Sequence, residues 1–174
     1  KALIMRDQDR AAPRGTGDVK VGGNYASSIW SLEAAHTKGF SNVLYLDAAT
    51  HSKVEEFGAA NFFGIKNNTY VTPKSTSILP SITNKSLRQI AADLGLTVEE
   101  RDIPVEELAT FEEAGACGTA AVISPIGALY DLDNGVTYDF GMKVGDTCKK
   151  MYDHLQGIQY GRVEDIHNWN VVVM

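Results

Sequence analysis

Apolar residues recur along this chain at two spacings, which divide it into strand-like and helix-like stretches. Residues 2–5 form a short apolar run that reads as a strand, and a charged stretch, 6–10, follows. From Asn24 to about Lys38 the residues Tyr25, Ile29, Leu32, Ala35 and His36 recur at helical spacing. Gly39 stands just past them, where a helix-ending glycine belongs. Residues 43–46 predict a buried strand. Residues 54–58 lead to the run 61–65, and Asn67-Asn68 predicts a hairpin turn into 70–72. A hydroxyl-rich loop between Pro73 and Pro80 precedes a second helix, with Ile82, Leu87, Ile90, Ala91 and Leu94 on one side and Gly95 at its end. Residues 98–103 alternate as a half-exposed strand, and Pro104 opens a short helix with Glu106 and Glu107 in its first turn. Residues 120–123 predict a strand, followed by a meander through Leu129, Tyr130 and Val136. Residues 143–155 predict a final amphipathic helix, and 169–173 a closing strand. The interleaving, with several strands joined by short turns, predicts a mixed α/β domain rather than a doubly wound parallel sheet.

At 174 residues the chain suits one domain with a real core. A net charge of −6 lacks the basic footprint of a nucleic-acid binder. Cys117 and Cys148 have neither paired spacing nor clustered histidines, so neither a metal site nor a disulfide scaffold is expected, and a cytoplasmic setting is. No apolar run reaches the roughly 18 residues of a membrane-spanning helix, so no membrane partner is expected. A chain that starts at Lys1 and enters an apolar run at once reads as part of a longer protein.

Candidate chemistry concentrates in Gly15-Thr-Gly-Asp-Val-Lys20-Val-Gly-Gly-Asn-Tyr25. The glycines allow sharp bends and close approach of a ligand. The stretch is neither a P-loop, because Val21 follows Lys20, nor a dinucleotide fingerprint, because Lys20 takes the third glycine position. A lysine in such a loop is a candidate for attack on a carbonyl, and a solvated surface lysine is the plain alternative. Glu55 and Glu56 read equally well as a solvated acidic pair, and Tyr25 as a packing residue. Residues 81–83 can be a simple capped helix start, with Ser81 or Thr83 as the cap. His36, His51, His154 and His167 are scattered and form no set; Tyr160 and Trp169 read as core or subunit-contact residues.

Four motifs in order carry a resemblance: Lys20-Val-Gly-Gly-Asn-Tyr25, Glu56-Phe-Gly-Ala-Ala-Asn61-Phe-Phe, Ile78-Leu-Pro-Ser-Ile-Thr83 and Cys117-Gly-Thr-Ala-Ala121. Together with the ending Ile158-Gln-Tyr-Gly-Arg162, the series closely resembles the branched-chain amino-acid aminotransferases, which are fold type IV pyridoxal-phosphate enzymes. The resemblance runs over essentially all of residues 10–174 and implies a barrel-like, mixed-sheet α/β large domain with flanking helices, spanning residues 1–174. It implies pyridoxal 5′-phosphate as cofactor and ping-pong transfer of an amino group from leucine, isoleucine or valine to 2-oxoglutarate. Lys20 resembles the lysine that forms the internal aldimine and moves the substrate's α-proton. Tyr25 matches the tyrosine bonded to the cofactor's phenolate oxygen, and Glu56 the carboxylate paired with the ring nitrogen. Ile82 and Thr83 match the turn whose N–H groups meet the phosphate, and Thr119 the residue whose hydroxyl does so. Backbone N–H groups of Thr119 and Ala120 match those that meet the substrate carboxylate.

The family is typically dimeric, so a homodimer is implied. Two departures stand out: Ala121-Val-Ile-Ser124 carries no redox cysteine pair, and nothing matches the family's smaller N-terminal domain with its phosphate-reaching arginine. Arg6, Arg10 and Arg14 lack that context. A D-amino-acid aminotransferase, an aminodeoxychorismate lyase and a non-catalytic cofactor-binding fragment remain the alternative readings.

Overall fold

The computed structural model describes residues 1–173. Its scaffold is a mixed sheet built around two strand–helix–strand crossovers. Strand β1 (Ala2–Met5) runs through helix α1 (Gly22–Thr37) to β2 (Asn42–Leu46), which lies parallel beside it. The side chains of β1 and most of β2 are buried, as expected where parallel strands are covered on both faces. Strands β3 (Val54–Phe57), β4 (Ala60–Lys66) and β5 (Thr69–Pro73) continue antiparallel. The second crossover carries the chain through α2 (Ile82–Asp93) to β6 (Thr97–Arg101), parallel to β5. A 3₁₀ turn, Val105–Thr110, leads to β7 (Glu113–Gly118), β8 (Val122–Ile126), β9 (Ala128–Asp131) and β10 (Val136–Asp139), and α3 (Asp146–Gln159) follows.

Strand order is β10-β9-β1-β2-β3-β4-β5-β6, and the sheet branches at β4. Asn61 pairs with both Glu56 and Cys117, and Gly64 with both Val71 and Ala114. Strand β7 therefore takes one whole edge of β4 while β3 and β5 share the other. This curved, branched sheet is the mixed α/β architecture expected. The Asn67-Asn68 turn is also as expected: both residues take positive φ (47° and 57°), the twist that suits a two-residue hairpin.

Three apolar clusters hold the layers together. One, containing Phe57, Phe62, Leu108 and Leu129, lies on one face of the sheet. The second packs α2 and α3 on the strands through Leu87, Ile90, Met151 and Leu155, and the third seats α1 on β1 and β2 through Ala35 and Tyr45.

Several sequence expectations are corrected. Residues 169–173 form no strand; Val171, Val172 and Val173 are exposed and no strand edge pairs with them. Tyr160 is exposed and Trp169 stacks on His167 at the surface, so neither is a core residue. Helix α1 buries Asn24, Ser28, Ser31 and Ala35 and exposes Ile29, so its packed face lies beside the apolar stripe read from spacing. In α2, Ile82 and Leu94 are exposed although Leu87, Ile90 and Ala91 are buried. Ala120 and Ala121 lie in the turn before β8, and β7 was not anticipated at all.

Helix α3 begins at Asp146 rather than 143 because of a cap that comes from elsewhere in the chain. Its N-cap is Gly145, which has no side chain to offer, and Glu113 of β7 accepts from Thr147 N (3.0 Å) and Cys148 N (2.8 Å) instead. A Cβ on Gly145 would overlap the Glu113 carboxyl. Glu113→Ala is therefore expected to cost about 1–2 kcal/mol, the value of a lost N-cap, in urea unfolding. A loss below a few tenths of a kcal/mol would remove Glu113 from the cap.

Candidate active site

Four short segments converge on one cavity of about 440 Å³. They are the loop before α1, the β3–β4 turn, the approach to α2 and the β7–β8 turn. Lys20, Tyr25, Glu56, Ile82, Thr119 and Ala120, six of the seven residues predicted for the site, line it. Thr83 lies outside the lining, one residue further into α2. Lys20 is exposed to the cavity side and makes no side-chain hydrogen bond or ion pair among the described residues.

The Lys20 loop is held by side chains that have no chemistry of their own. Asn24, in the first turn of α1, donates from Nδ2 to the carbonyls of Thr16 (2.7 Å) and Val19 (2.9 Å), and Thr16 Oγ1 donates to its Oδ1 (3.2 Å). Of the four glycines, Gly17 is needed because a Cβ there would overlap the Ser77 carbonyl, whereas Gly22 and Gly23 face open space. The glycine at 17 thus serves close packing of chain on chain.

Glu56 is buried, and so is Glu55 beside it, so the two are not a solvated pair. Strand alternation sends them to different partners: Glu55 accepts from Ser75 Oγ (2.7 Å), and Glu56 lines the cavity. Glu56 Oε1 accepts from Leu79 N (3.1 Å) and forms an ion pair with Arg10 Nη2 (2.8 Å), and Oε2 accepts from Asn61 Nδ2 (2.7 Å). Each oxygen thereby accepts one hydrogen bond, which leaves acceptor capacity on the carboxylate. Burial pushes the carboxyl up to about 7, against the pull of Arg10, the Leu79 N–H and Asn61.

That shift has a definite pH sign. Between the ordinary value of 4.5 and about 7 the folded chain holds a proton on Glu56 that the unfolded chain has lost. The cofactor-free protein is therefore expected to lose stability as pH rises through that window, and Glu56→Gln to flatten the slope. Urea midpoints of the two proteins across the window check this; equal slopes would place the Glu56 proton elsewhere. Below the carboxylate range the trend reverses, because Asp131, bonded to Arg6, is held below its ordinary value.

A chain of buried amides ties Glu56 to α2. Asn84 Nδ2 donates to Asn61 Oδ1 (3.1 Å) and Thr72 Oγ1 (2.9 Å), and its Oδ1 accepts from Tyr70 (2.8 Å). The Asn84 N–H goes to the N-cap Ser81 Oγ (3.2 Å), leaving the N–H groups of Ile82 and Thr83 without partners among the described residues. Such a helix start is an anion site in waiting. Val122, the first residue of β8, takes φ 56° where the chain leaves the turn carrying Thr119 and Ala120, a left-handed conformation costly for a β-branched residue.

Arg10, Asn24 and Asn84 were not assigned to the site from sequence, and Asn61 served there only to mark its motif. The spacing of Asn24 and Asn61 within their motifs was the available signal; for Arg10 and Asn84 there was none.

This geometry, a lone lysine facing a buried carboxylate and a bare helix start, can be compared with known proteins. The profile of the family described as amino-transferase class IV matches residues 1–129. The chain belongs to that family. A branched-chain-amino-acid aminotransferase of Haemophilus influenzae is 50% identical over 178 residues, covering 98% of this chain and 52% of that protein. The crystal structure of the Escherichia coli branched-chain amino acid aminotransferase superposes with a TM-score of 0.84 at 28% identity, covering 97% of this chain and 54% of that one. The corresponding enzyme of Thermobaculum terrenum, crystallised in its PLP-form (holo-form), matches with a TM-score of 0.81 at 28% identity over 93% of this chain and 51% of that one. The mixed-sheet domain is thus that of the fold type IV aminotransferases. This class IV chain spans about half the length of the curated relatives it matches.

Proposed function

We propose that residues 1–174 form the cofactor-binding large domain of a pyridoxal-phosphate-dependent branched-chain amino-acid aminotransferase. Its reaction is ping-pong transfer of the amino group of leucine, isoleucine or valine to 2-oxoglutarate. The observation that carries this reading is the convergence of Lys20, Glu56 and the open start of α2 on one cavity, in a chain half identical to an enzyme of that name.

The residues suit the cofactor. The carboxylate with spare acceptor capacity fits a protonated ring nitrogen, and the unpartnered N–H groups fit a phosphate. When bound, pyridoxal phosphate supplies an aldehyde for the amine and a ring that takes up the electron pair left by proton removal. Lys20 anchors the cofactor through Nζ and then carries the proton at the substrate Cα. Glu56 favours the protonated ring, and the Tyr25 hydroxyl bonds the ring oxygen. Ile82 and Thr83, through their N–H groups, and Thr119, through its hydroxyl, hold the phosphate. Thr83 can serve without lining the cavity, since only its backbone is asked for. The Thr119 and Ala120 N–H groups receive the substrate carboxylate. A cytoplasmic homodimer completes the proposal, and exposed Ile29 and Trp30 on α1 offer apolar surface for a partner.

The test is borohydride reduction of the protein mixed with pyridoxal phosphate, followed by peptide mass mapping and a panel of L- and D-amino acids. Cofactor mass on the Lys20 peptide, with turnover of branched-chain L-amino acids, is expected. Label on other lysines, or turnover confined to D-amino acids, would overturn the reading.

A further inference from the structure

Arg10 is a charged part of the cavity wall that the proposed reaction leaves without a role. It lies between β1 and the Lys20 loop and is 7% exposed. Its Nη2 meets oxygens from three separate segments: the carbonyl of Gly17 at 3.1 Å, the carbonyl of Ser77, and Glu56 Oε1 at 2.8 Å. Gly17 belongs to the Lys20 loop, Ser77 to the loop leading into α2, and Glu56 to β3. The first two touch backbone to backbone, so closely that residue 17 has no room for a Cβ. The guanidinium therefore sits at the seam where two cavity walls meet, against the acid that closes its floor.

The choice of side chain matters physically. A guanidinium stays charged at any working pH, so it can donate to fixed carbonyls and face a carboxylate without giving up its proton. A buried carboxylate with no counter-charge takes up a proton instead of staying ionised. With the Leu79 N–H on Oε1, Asn61 on Oε2 and the Arg10 charge 2.8 Å from Oε1, the carboxylate cannot rotate without losing a bond or its counter-charge.

We propose that Arg10 is a positioning residue that acts through Glu56. It favours the ionised, fixed carboxylate and pins the Lys20 loop to the loop entering α2. The proposal rests on the reading that Glu56 meets the cofactor ring, so the test separates the two. Pyridoxal phosphate dissociation constants and the pH dependence of the bound cofactor's absorption would be measured for the parent, E56Q, R10Q, R10K and R10Q/E56Q. Carbon-13 titration of the Glu56 carboxyl in the cofactor-free parent, R10Q and R10K would accompany them.

The expected result is a loss of affinity of about tenfold or more in E56Q and in R10Q, the factor that one unit of carboxyl pKa represents. In the E56Q background R10Q adds less than about twofold, because the two act as one unit. The Glu56 titration moves to higher pH in R10Q and stays near the parent's in R10K, which keeps the charge. R10K also keeps the test alive if R10Q does not fold. If E56Q changes binding but R10Q does not, or if the two losses multiply in the double variant, the role of Arg10 is overturned and that of Glu56 stands. If E56Q leaves binding and absorption unchanged, the reading of Glu56 falls and this proposal with it.

Discussion

Lys20→Ala is expected to lower the rate of branched-chain transamination by at least about 10²- to 10⁴-fold, the range that a positioned acid–base group contributes. The folded state should not notice the change. Lys20 is exposed and has no side-chain partner among the described residues, and substitutions at such positions usually stay within about 0.5 kcal/mol. The loop does not depend on it either: its geometry comes from Asn24 on the Thr16 and Val19 carbonyls and from Gly17 against Ser77. A large loss of turnover at constant stability is the signature of a chemical group on a preformed scaffold. The measurement pairs the rate with leucine and 2-oxoglutarate with a urea midpoint for each protein. A variant with parental turnover would remove Lys20 from the chemistry. One that loses several kcal/mol would show that the lysine holds the loop.

Legibility of this site from sequence follows the range of the interactions. Local signals were readable: Gly39 and Gly95 end their helices at positive φ, and Asn67-Asn68 makes its turn, because each depends on a few neighbouring residues. The motifs around Lys20, Glu56 and Thr119 were readable as a resemblance, and they do meet around one cavity. Strand β7 was not readable. Its residues, Glu-Ala-Gly-Ala-Cys-Gly, are small and neither alternate nor branch at Cβ, and they form a strand because β4 needs a partner. The small residues match large ones placed far away in the chain. A Cβ on Gly115 would overlap the Phe63 ring, and one on Gly64 the Phe111 ring, so strand composition was set by cross-strand space. Residues 169–173 failed in the opposite sense, since a run of valines has strand propensity but pairs only where an edge is offered. Arg10 was unreadable because its partners, two carbonyls and a carboxylate, come from three segments, and only the folded seam brings them together.

Asn84→Leu should be the most destabilising single change at the site, by about 3–5 kcal/mol, as expected when several buried polar groups lose their partners together. Asn84 is buried, and its amide satisfies Tyr70, Thr72 and Asn61 at once. Leucine has similar bulk and offers none of these bonds. The fully buried Tyr70 hydroxyl would lose its acceptor, and Asn61 Oδ1 its donor from Asn84. Aspartate would do no better: it could still accept from Tyr70 but could not donate to Asn61, and burial would resist its charge. Tyr70→Phe separates this network from simple packing. If the network is the cause, Tyr70→Phe costs much less in the Asn84→Leu background than alone, because its partner is already gone. Equilibrium urea unfolding of the two single variants and the double gives the coupling. Additive losses, or a cost for Asn84→Leu below about 1 kcal/mol, would mean that the amide chain is not stressed. Asn61 also holds Glu56 Oε2, and Asn84 lies in the first turn of α2. The same break should therefore loosen both ends of the cavity, so that cofactor affinity falls together with stability even though Asn84 lies outside the cavity lining.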